Sequence, residues 1–143
     1  MEPSQLQWWG EQAFVSLTTF RRDGTPVATA VWIARDGDRL VVITPAGSGK
    51  VKRLRRNSAV RMAPCSRRGT VEPDAPTVTA VAQVRDEPAE VERVRAVLKA
   101  KYGAEYRIFM AVERVVTLMR PTPRVALWID AERPSRGYER GQA

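Results

Sequence analysis

Apolar, β-forming segments separated by short polar segments make up most of the first third of the chain. The segments 14–20, 26–34 and 39–45 are rich in Val, Ile, Thr and aromatic residues, which is the composition of strands. Short polar segments at 21–25 and 35–38 separate them, each with Asp-Gly at its centre, and this dipeptide is typical of tight hairpin turns. The pattern therefore predicts a three-stranded antiparallel meander.

A short basic helix is predicted after the third strand, within the segment AGSGKVKRLRRN (46–57). Ser48 can cap its start, because a serine hydroxyl accepts a hydrogen bond from the free N–H groups of a first helical turn. Val51 and Leu54 lie three residues apart and so share one face. With Asn57 as its end, the helix has about nine residues and one narrow apolar stripe.

Strands and longer helices make up the rest of the chain. A fourth and a fifth strand are predicted at 59–65 and 77–84, with a loop rich in Gly, Pro and charged residues between them. A helix is predicted over 87–103, with proline in its first turn and glycine at its end. The last strand is predicted at 122–130. A second helical stretch before it has apolar residues at helical spacing: Ile108, Phe109, Val112, Val115, Val116 and Met119.

These elements predict a mainly β fold with some α content. Six antiparallel strands, a short basic helix after the third and two helices before the last favour a small barrel, because closure removes exposed strand edges. The length of 143 residues fits one domain. We expect an N-terminal arm at 1–12, the barrel at 13–131 and a polar tail at 132–143. No apolar run reaches the roughly 18 residues of a membrane span, and no signal segment is recognisable, so a cytoplasmic protein is expected.

The composition excludes several kinds of catalytic site. The chain has no histidine, which removes the usual general base, the commonest metal ligand and every Ser/His or Cys/His relay. Its carboxylates do not cluster at the spacing of metal ligands, so no metal site is predicted. The single cysteine, Cys65, excludes an internal disulfide and is interpreted as a small core thiol. Any chemistry is therefore expected from a bound cofactor.

The net charge of +8 is concentrated in one segment. Eight basic residues and no acidic residue lie between Lys50 and Arg68. In the rest of the chain 16 basic residues face 16 acidic ones. A protein that binds polyanions in general more often spreads its charge over a face or a tail, so this local excess favours one small anionic ligand.

Four stretches of the sequence occur in an order that is typical of one family: VSLTTFRRDGTPVATAVWIA, GDRLVVIT, GKVKRLRRNSAVRMAPCSRRG and KYGAEYRIFM. With them the chain resembles the pyridoxamine-phosphate-oxidase-like split β-barrel family, and within it the branch that uses the deazaflavin coenzyme F420. The resemblance implies a split barrel and a homodimer with two cofactor sites at the subunit interface. It also implies hydride transfer between F420 and a small conjugated substrate such as an unsaturated carbonyl compound. The alternative is an FMN-binding oxidase, or a non-catalytic cofactor-binding protein, of the same fold.

The same resemblance implies a set of cofactor-binding residues. Lys50 and Lys52 match the positions that bind the cofactor phosphate in the family. Positions that line its ring-binding groove are matched by three residues: Thr44, Val31 and Trp32. The match of Arg55 and Arg56 to ligand contacts is looser.

The chemistry of the basic segment independently supports a phosphate site. A helix N-terminus offers free N–H groups and a partial positive charge, and Ser48 and Gly49 lie at this helix start, where glycine lets the backbone approach a ligand closely. Coenzyme F420 carries an oligoglutamate tail beyond its phosphate, part of which Arg53, Arg55 and Arg56 could neutralise, whereas FMN has no such tail. The arginines could equally form the solvated face of an amphipathic helix.

Nucleic acid is the main rival ligand, because its phosphates also attract a basic segment. The segment has no interleaved aromatic residues and no recognisable binding module, so we expect no nucleic-acid partner. Its apolar face is too narrow for a membrane anchor. Trp8 and Trp9 either pack an arm on the barrel or shield the pocket. Tyr102 and Tyr106 are interpreted as helix packing, although a phenol near the ring could supply a proton.

Overall fold

One antiparallel sheet is the framework of the protein in the computed structural model, which describes residues 1–105, 107–108 and 123–131. Seven strands are found within these residues: β1 Val15–Phe20, β2 Pro26–Val31, β3 Ala34–Asp36, β4 Arg39–Pro45, β5 Ala59–Pro64, β6 Val78–Arg85 and β7 Arg124–Ala131. Their spatial order is β2-β1-β5-β6-β7-β4-β3, and every neighbouring pair is antiparallel. The prediction of a mainly β, barrel-like fold with antiparallel strands is confirmed.

The predicted strand 26–34 is divided in the structure, so the sheet has seven strands and not six. Only Trp32 and Ile33 link β2 to β3, although these strands lie at opposite edges of the sheet. The sheet must therefore curl until its two edges approach each other. The N–H of Ile33 donates to the Tyr102 hydroxyl at 3.1 Å, so a side chain satisfies a backbone donor that a continuous strand would pair within the sheet.

The two predicted hairpins differ in how well they match the structure. The first is confirmed: β1 and β2 pair up to Phe20 opposite Pro26. The second is shorter than predicted, because it joins only β3 to β4, with Asp36 opposite Arg39. Its turn needs Gly37, which has φ +65°, a conformation that side chains rarely adopt.

The main hydrophobic core covers one face of the sheet. Its fully buried side chains include Leu17, Leu40, Met62, Leu127 and Ile129. Two helices pack against this core, α1 (Pro3–Gly10) and α2 (Gly49–Arg56), through Leu6 and Trp9 of α1 and Leu54 of α2. Trp9 thus packs on the barrel, whereas Trp8 is 42% exposed. The short basic helix is confirmed as α2.

The third helix, α3 (Pro88–Tyr102), packs through Val94 and Leu98 in a second core cluster that includes Val41 of β4. It confirms the helix predicted over 87–103. The predicted second helical stretch lies, beyond its first residue Ile108, outside the described residues, as does the predicted tail. No helix in the described part of the chain is long and apolar enough to cross a membrane.

Candidate functional site

A cavity of about 700 Å³ opens where the chain passes from β2 to β3. The end of β4, the first turn of α2 and the start of β7 supply further parts of its wall. Pockets of roughly 300–1,000 Å³ hold cofactors and drug-sized ligands, so the cavity has the size of a flavin-like ligand. Four of the residues predicted to bind a cofactor line it: Val31, Trp32, Thr44 and Lys50.

Lys50 and Thr44 meet at one end of this cavity. The Lys50 Nζ donates to the Thr44 Oγ1 at 3.4 Å, and Thr44 is only 2% exposed. Burial of the ammonium group, and to a smaller degree the neighbouring Arg53 guanidinium, lower the pKa of Lys50. An ammonium group that is poorly solvated and next to another cation gains from the approach of an anion. This end of the cavity is therefore suited to a phosphate group.

The first turn of α2 is arranged around Gly49 and Arg53. A Cβ on Gly49 would lie 2.7 Å from the Arg53 Nη1, so the guanidinium occupies the space that a side chain at position 49 would fill. The Arg53 Nε donates to the buried Thr19 Oγ1 at 2.7 Å, which fixes this position. Ser48 caps the helix as predicted, because its Oγ accepts from the Val51 N–H at 3.4 Å.

Arg53 was predicted as a possible contact of the oligoglutamate tail, and not as a contact of the phosphate. The sequence does contain a signal for it, since residues three apart share one side of a helix and Arg53 follows Lys50 by three. The position of its guanidinium depends instead on a hydrogen bond to Thr19 in β1, which the local sequence does not indicate.

Lys50 lines the cavity, and the other cations of α2, Arg53 included, do not. Lys52, Arg55 and Arg56 are all exposed. Arg55 contributes to a separate cavity of about 460 Å³ beside Trp128, and its Nη2 is 3.7 Å from the Asp86 Oδ2. The structure thus separates these three side chains from Lys50, and their contact with a cofactor stays a prediction.

Trp32 forms an aromatic part of the cavity wall. Its ring stacks on the Tyr102 ring, with centroids 4.5 Å apart and planes inclined by 13°. The Tyr102 hydroxyl accepts from the Ile33 N–H at 3.1 Å and is 2.8 Å from the Ala13 carbonyl oxygen, to which it donates. Burial raises the pKa of Tyr102 to about 12. Because the hydroxyl is bound to the backbone, Tyr102 is a packing residue and not a proton donor; Tyr106 lies outside the described residues.

Several residues of the cavity wall were not predicted as ligand contacts. They include Phe14, Arg67, Glu105 and Arg124. Arg124 lies opposite Pro45 in the sheet, and the Arg67 guanidinium is 5.9 Å from the centre of the Phe14 ring. Pairing of β7 with β4 thus brings Arg124 to the wall, and the loop after β5 brings Arg67 there. No local sequence motif indicates either position.

Other reactive groups do not form a site in the described part of the chain. No group of three or more Cys, Asp or Glu residues there is placed to hold a metal ion. Burial raises the pKa of the Cys65 thiol, so the nucleophilic thiolate is disfavoured.

Comparison with known protein families gives a match that covers most of the chain. The family described as pyridoxamine 5'-phosphate oxidase matches residues 1–135. No protein with a curated description matches the chain significantly.

Solved structures provide the second comparison. A conserved hypothetical protein of Mycobacterium tuberculosis, Rv2991, is 25% identical with a TM-score of 0.66, over 93% of this chain and 81% of that one. A structure titled F420 Reductase is 21% identical with a TM-score of 0.56, over 89% and 93%. HutZ of Vibrio cholerae, described as a heme storage protein, is 16% identical with a TM-score of 0.62, over 92% and 90%.

Proposed function

The chain belongs to the pyridoxamine 5'-phosphate oxidase family, and on this basis we propose that it is an oxidoreductase that uses coenzyme F420. Its reaction is hydride transfer between F420 and a small conjugated substrate, such as an unsaturated carbonyl compound. FMN in the same cavity is the second candidate cofactor.

The observation that carries this proposal is the contact between Lys50 and Thr44 at one end of a largely apolar cavity. A phosphate needs cations and N–H donors, and a planar ring needs an apolar wall. The cavity provides both within one space, since Val31 and Trp32 line it together with Lys50.

The donor set fits a phosphorylated cofactor. Lys50 and the free N–H groups of the first turn of α2 would hold the phosphate, with the Arg53 guanidinium beside them, and Val31 and Trp32 would hold the ring. The close approach of the Arg53 guanidinium to Gly49 supports this assignment, because it keeps a second cation beside the helix start.

The protein's own residues bind, orient and exclude water rather than carry the chemistry. When bound, reduced F420 would supply a hydride to an electron-poor conjugated substrate. The wall formed by Val31, Trp32 and Ile43 excludes water from one side of the ring and fixes its orientation, which favours transfer over short distances. The Tyr102 hydroxyl is held by the backbone, so any proton comes from another group.

The surplus of cations favours F420 over FMN. Lys52, Arg55 and Arg56 are exposed on the helix whose first turn would bind the phosphate. They exceed what one phosphate requires, and the oligoglutamate tail of F420 offers them anionic partners. Haem storage, the described role of HutZ, is not proposed because the chain has no histidine, the usual haem ligand.

A homodimer is part of this proposal, with the partner subunit completing each site. Sedimentation at micromolar concentration should show a dimer, and a monomer there would remove the interface from the proposal.

Parallel titrations of the purified protein with F420 and FMN test the function. We expect tighter binding of F420, and oxidation of reduced F420 only when an unsaturated carbonyl substrate is present. Tighter binding of FMN with rapid oxygen consumption would instead indicate an oxidase. If neither compound binds, the proposal is wrong.

A further inference from the structure

The last two residues of α3 hold two distant parts of the backbone together. The Lys101 Nζ donates to the carbonyl oxygens of Gln12 and Ile33. The hydroxyl of Tyr102 contacts the Ala13 carbonyl oxygen at 2.8 Å and the Ile33 N–H at 3.1 Å. Together they join the segment before β1 to the link between β2 and β3.

Ile33 depends on these side chains for its backbone hydrogen bonds. Its side chain is fully buried, and it lies between β2 and β3, outside both ladders. Buried backbone N–H and C=O groups without partners are costly. The N–H of Ile33 donates to Tyr102, and its carbonyl oxygen accepts from Lys101.

The same two residues reach the cavity through Trp32. This residue precedes Ile33, so the hydrogen bonds at Ile33 fix the backbone next to it. The Tyr102 ring also stacks on the Trp32 ring at 4.5 Å. Trp32 in turn lines the cavity, which places Lys101 and Tyr102 one layer behind its wall.

We propose that Lys101 and Tyr102, the α3 latch, are positioning residues that set the place of Trp32 and thereby the affinity of the cavity for a planar ring. The second half of this inference rests on the proposed function, since it requires a ring cofactor in the cavity. The first half, the placement of Trp32 by Lys101 and Tyr102, requires no bound ligand.

Fluorine NMR of labelled tryptophans tests the position of Trp32, and cofactor titration tests the affinity of the cavity. The protein is prepared with 5-fluorotryptophan, and the Trp32 resonance is assigned by Trp32→Phe. Lys101→Met removes the ammonium group, and Tyr102→Phe removes the hydroxyl but keeps a ring to stack. Lys99→Met is the matched control, because Lys99 is exposed on the same helix.

Trp128 is the internal control for a variant that disturbs the packing of the whole of α3. Its Nε1 donates to Glu90 near the start of the same helix at 2.9 Å. A local latch predicts that the Trp32 resonance shifts in Lys101→Met and Tyr102→Phe while the Trp128 resonance does not. Affinity for F420 or FMN should fall about fivefold or more in the same variants, and Lys99→Met should match wild type in both readouts.

Each outcome decides part of the inference. An unchanged Trp32 resonance in both variants, or an equal shift of Trp128, would overturn the latch. A shifted Trp32 resonance with wild-type affinity would overturn its role in binding. If even the wild-type protein binds neither compound, the proposed function fails, and the fluorine spectra still decide whether the latch positions Trp32.

Discussion

The Lys50 ammonium lies 3.4 Å from the Thr44 hydroxyl, and this contact joins the first turn of α2 to the end of β4. Both residues line the same cavity as Trp32. Because burial lowers the pKa of Lys50, the protonated side chain is under-solvated in the free protein. An anionic ligand beside Lys50 would offset the free-energy cost of this poor solvation. The contact between Lys50 and Thr44 is therefore the most specific feature of the proposed site.

Gly49→Ala should weaken phosphate binding without weakening the fold. The new Cβ would come within 2.7 Å of the Arg53 Nη1, so the guanidinium must move away from the helix start. Alanine is favoured over glycine in helices by roughly 0.5–1 kcal/mol, which offsets the loss of the hydrogen bond from Arg53 to Thr19, so stability should change little. We expect a loss of cofactor affinity of about threefold to tenfold, which corresponds to about 1 kcal/mol for a hydrogen bond.

Gly47→Ala is the matched control for this variant, because a Cβ there meets nothing within 4 Å. Calorimetric titration and thermal unfolding of both variants make the comparison. Equal affinities in the two variants would show that the position of Arg53 does not matter for binding.

The exposed arginines of α2 should act on the tail of F420 and not on its phosphate. Arg55→Ala and Arg56→Ala are expected to weaken binding more for long oligoglutamate tails than for short ones, by about twofold to fivefold at low salt. The effect should fade as ionic strength rises, because exposed charges are screened over about 10 Å at 0.1 M salt. FMN affinity, measured in the same buffers, serves as the tail-free control. A loss of affinity that is independent of tail length would show that Arg55 and Arg56 do not act on the tail.

The pH dependence of stability should report the burial of Lys101. Burial lowers its pKa from 10.5 to about 8 in the folded protein. Below pH 8 both the folded and the unfolded chain carry the proton, and the cost of burying the charge is present in full. As pH rises from about 8 to 10.5 the folded protein releases the proton first, so its stability rises. The neutral amine keeps two N–H donors for the carbonyl oxygens of Gln12 and Ile33.

Urea unfolding of wild type and Lys101→Met over this pH range isolates the contribution of Lys101 to stability. All other titratable groups are present in both proteins and cancel in the comparison. The unfolding midpoint of the wild-type protein should rise relative to that of the variant. A constant difference between the two curves would mean that Lys101 does not have a lowered pKa.

Local sequence patterns predicted the parts of the fold whose causes are local. The β1–β2 hairpin follows from an Asp-Gly turn between β-rich segments, and α2 begins after Ser48, whose hydroxyl accepts a helix N–H. The division of the predicted strand at Trp32 has a distant cause, because the partner of the Ile33 N–H is Tyr102, 69 residues further along the chain. No periodicity within 26–34 could reveal it.

In the candidate site, too, the predicted residues have local causes and the missed ones have distant causes. The family resemblance and the helix start predicted Lys50 and Thr44, and the structure places them in one cavity. The prediction grouped Arg55 with Lys50 on a looser family match and on its charge. On an eight-residue helix these side chains point to different sides, and Arg55 lies near Asp86 instead. The cations Arg67 and Arg124 reach the cavity by strand pairing and loop geometry, which sequence proximity does not encode.

The most direct test of the account is the affinity of Lys50→Met for the cofactor, measured by calorimetry against wild type and against Lys99→Met. Methionine keeps the unbranched apolar stem and removes the charge that would meet the phosphate. A charge-assisted hydrogen bond contributes about 1.5–3 kcal/mol, so we predict that Lys50→Met binds F420 roughly tenfold to a hundredfold more weakly. Its unfolding midpoint should be equal to or higher than that of wild type, because the variant buries no charge at this position. Lys99→Met should bind as wild type does. If Lys50→Met also binds F420 and FMN as tightly as wild type, the cavity beside Thr44 is not the phosphate site.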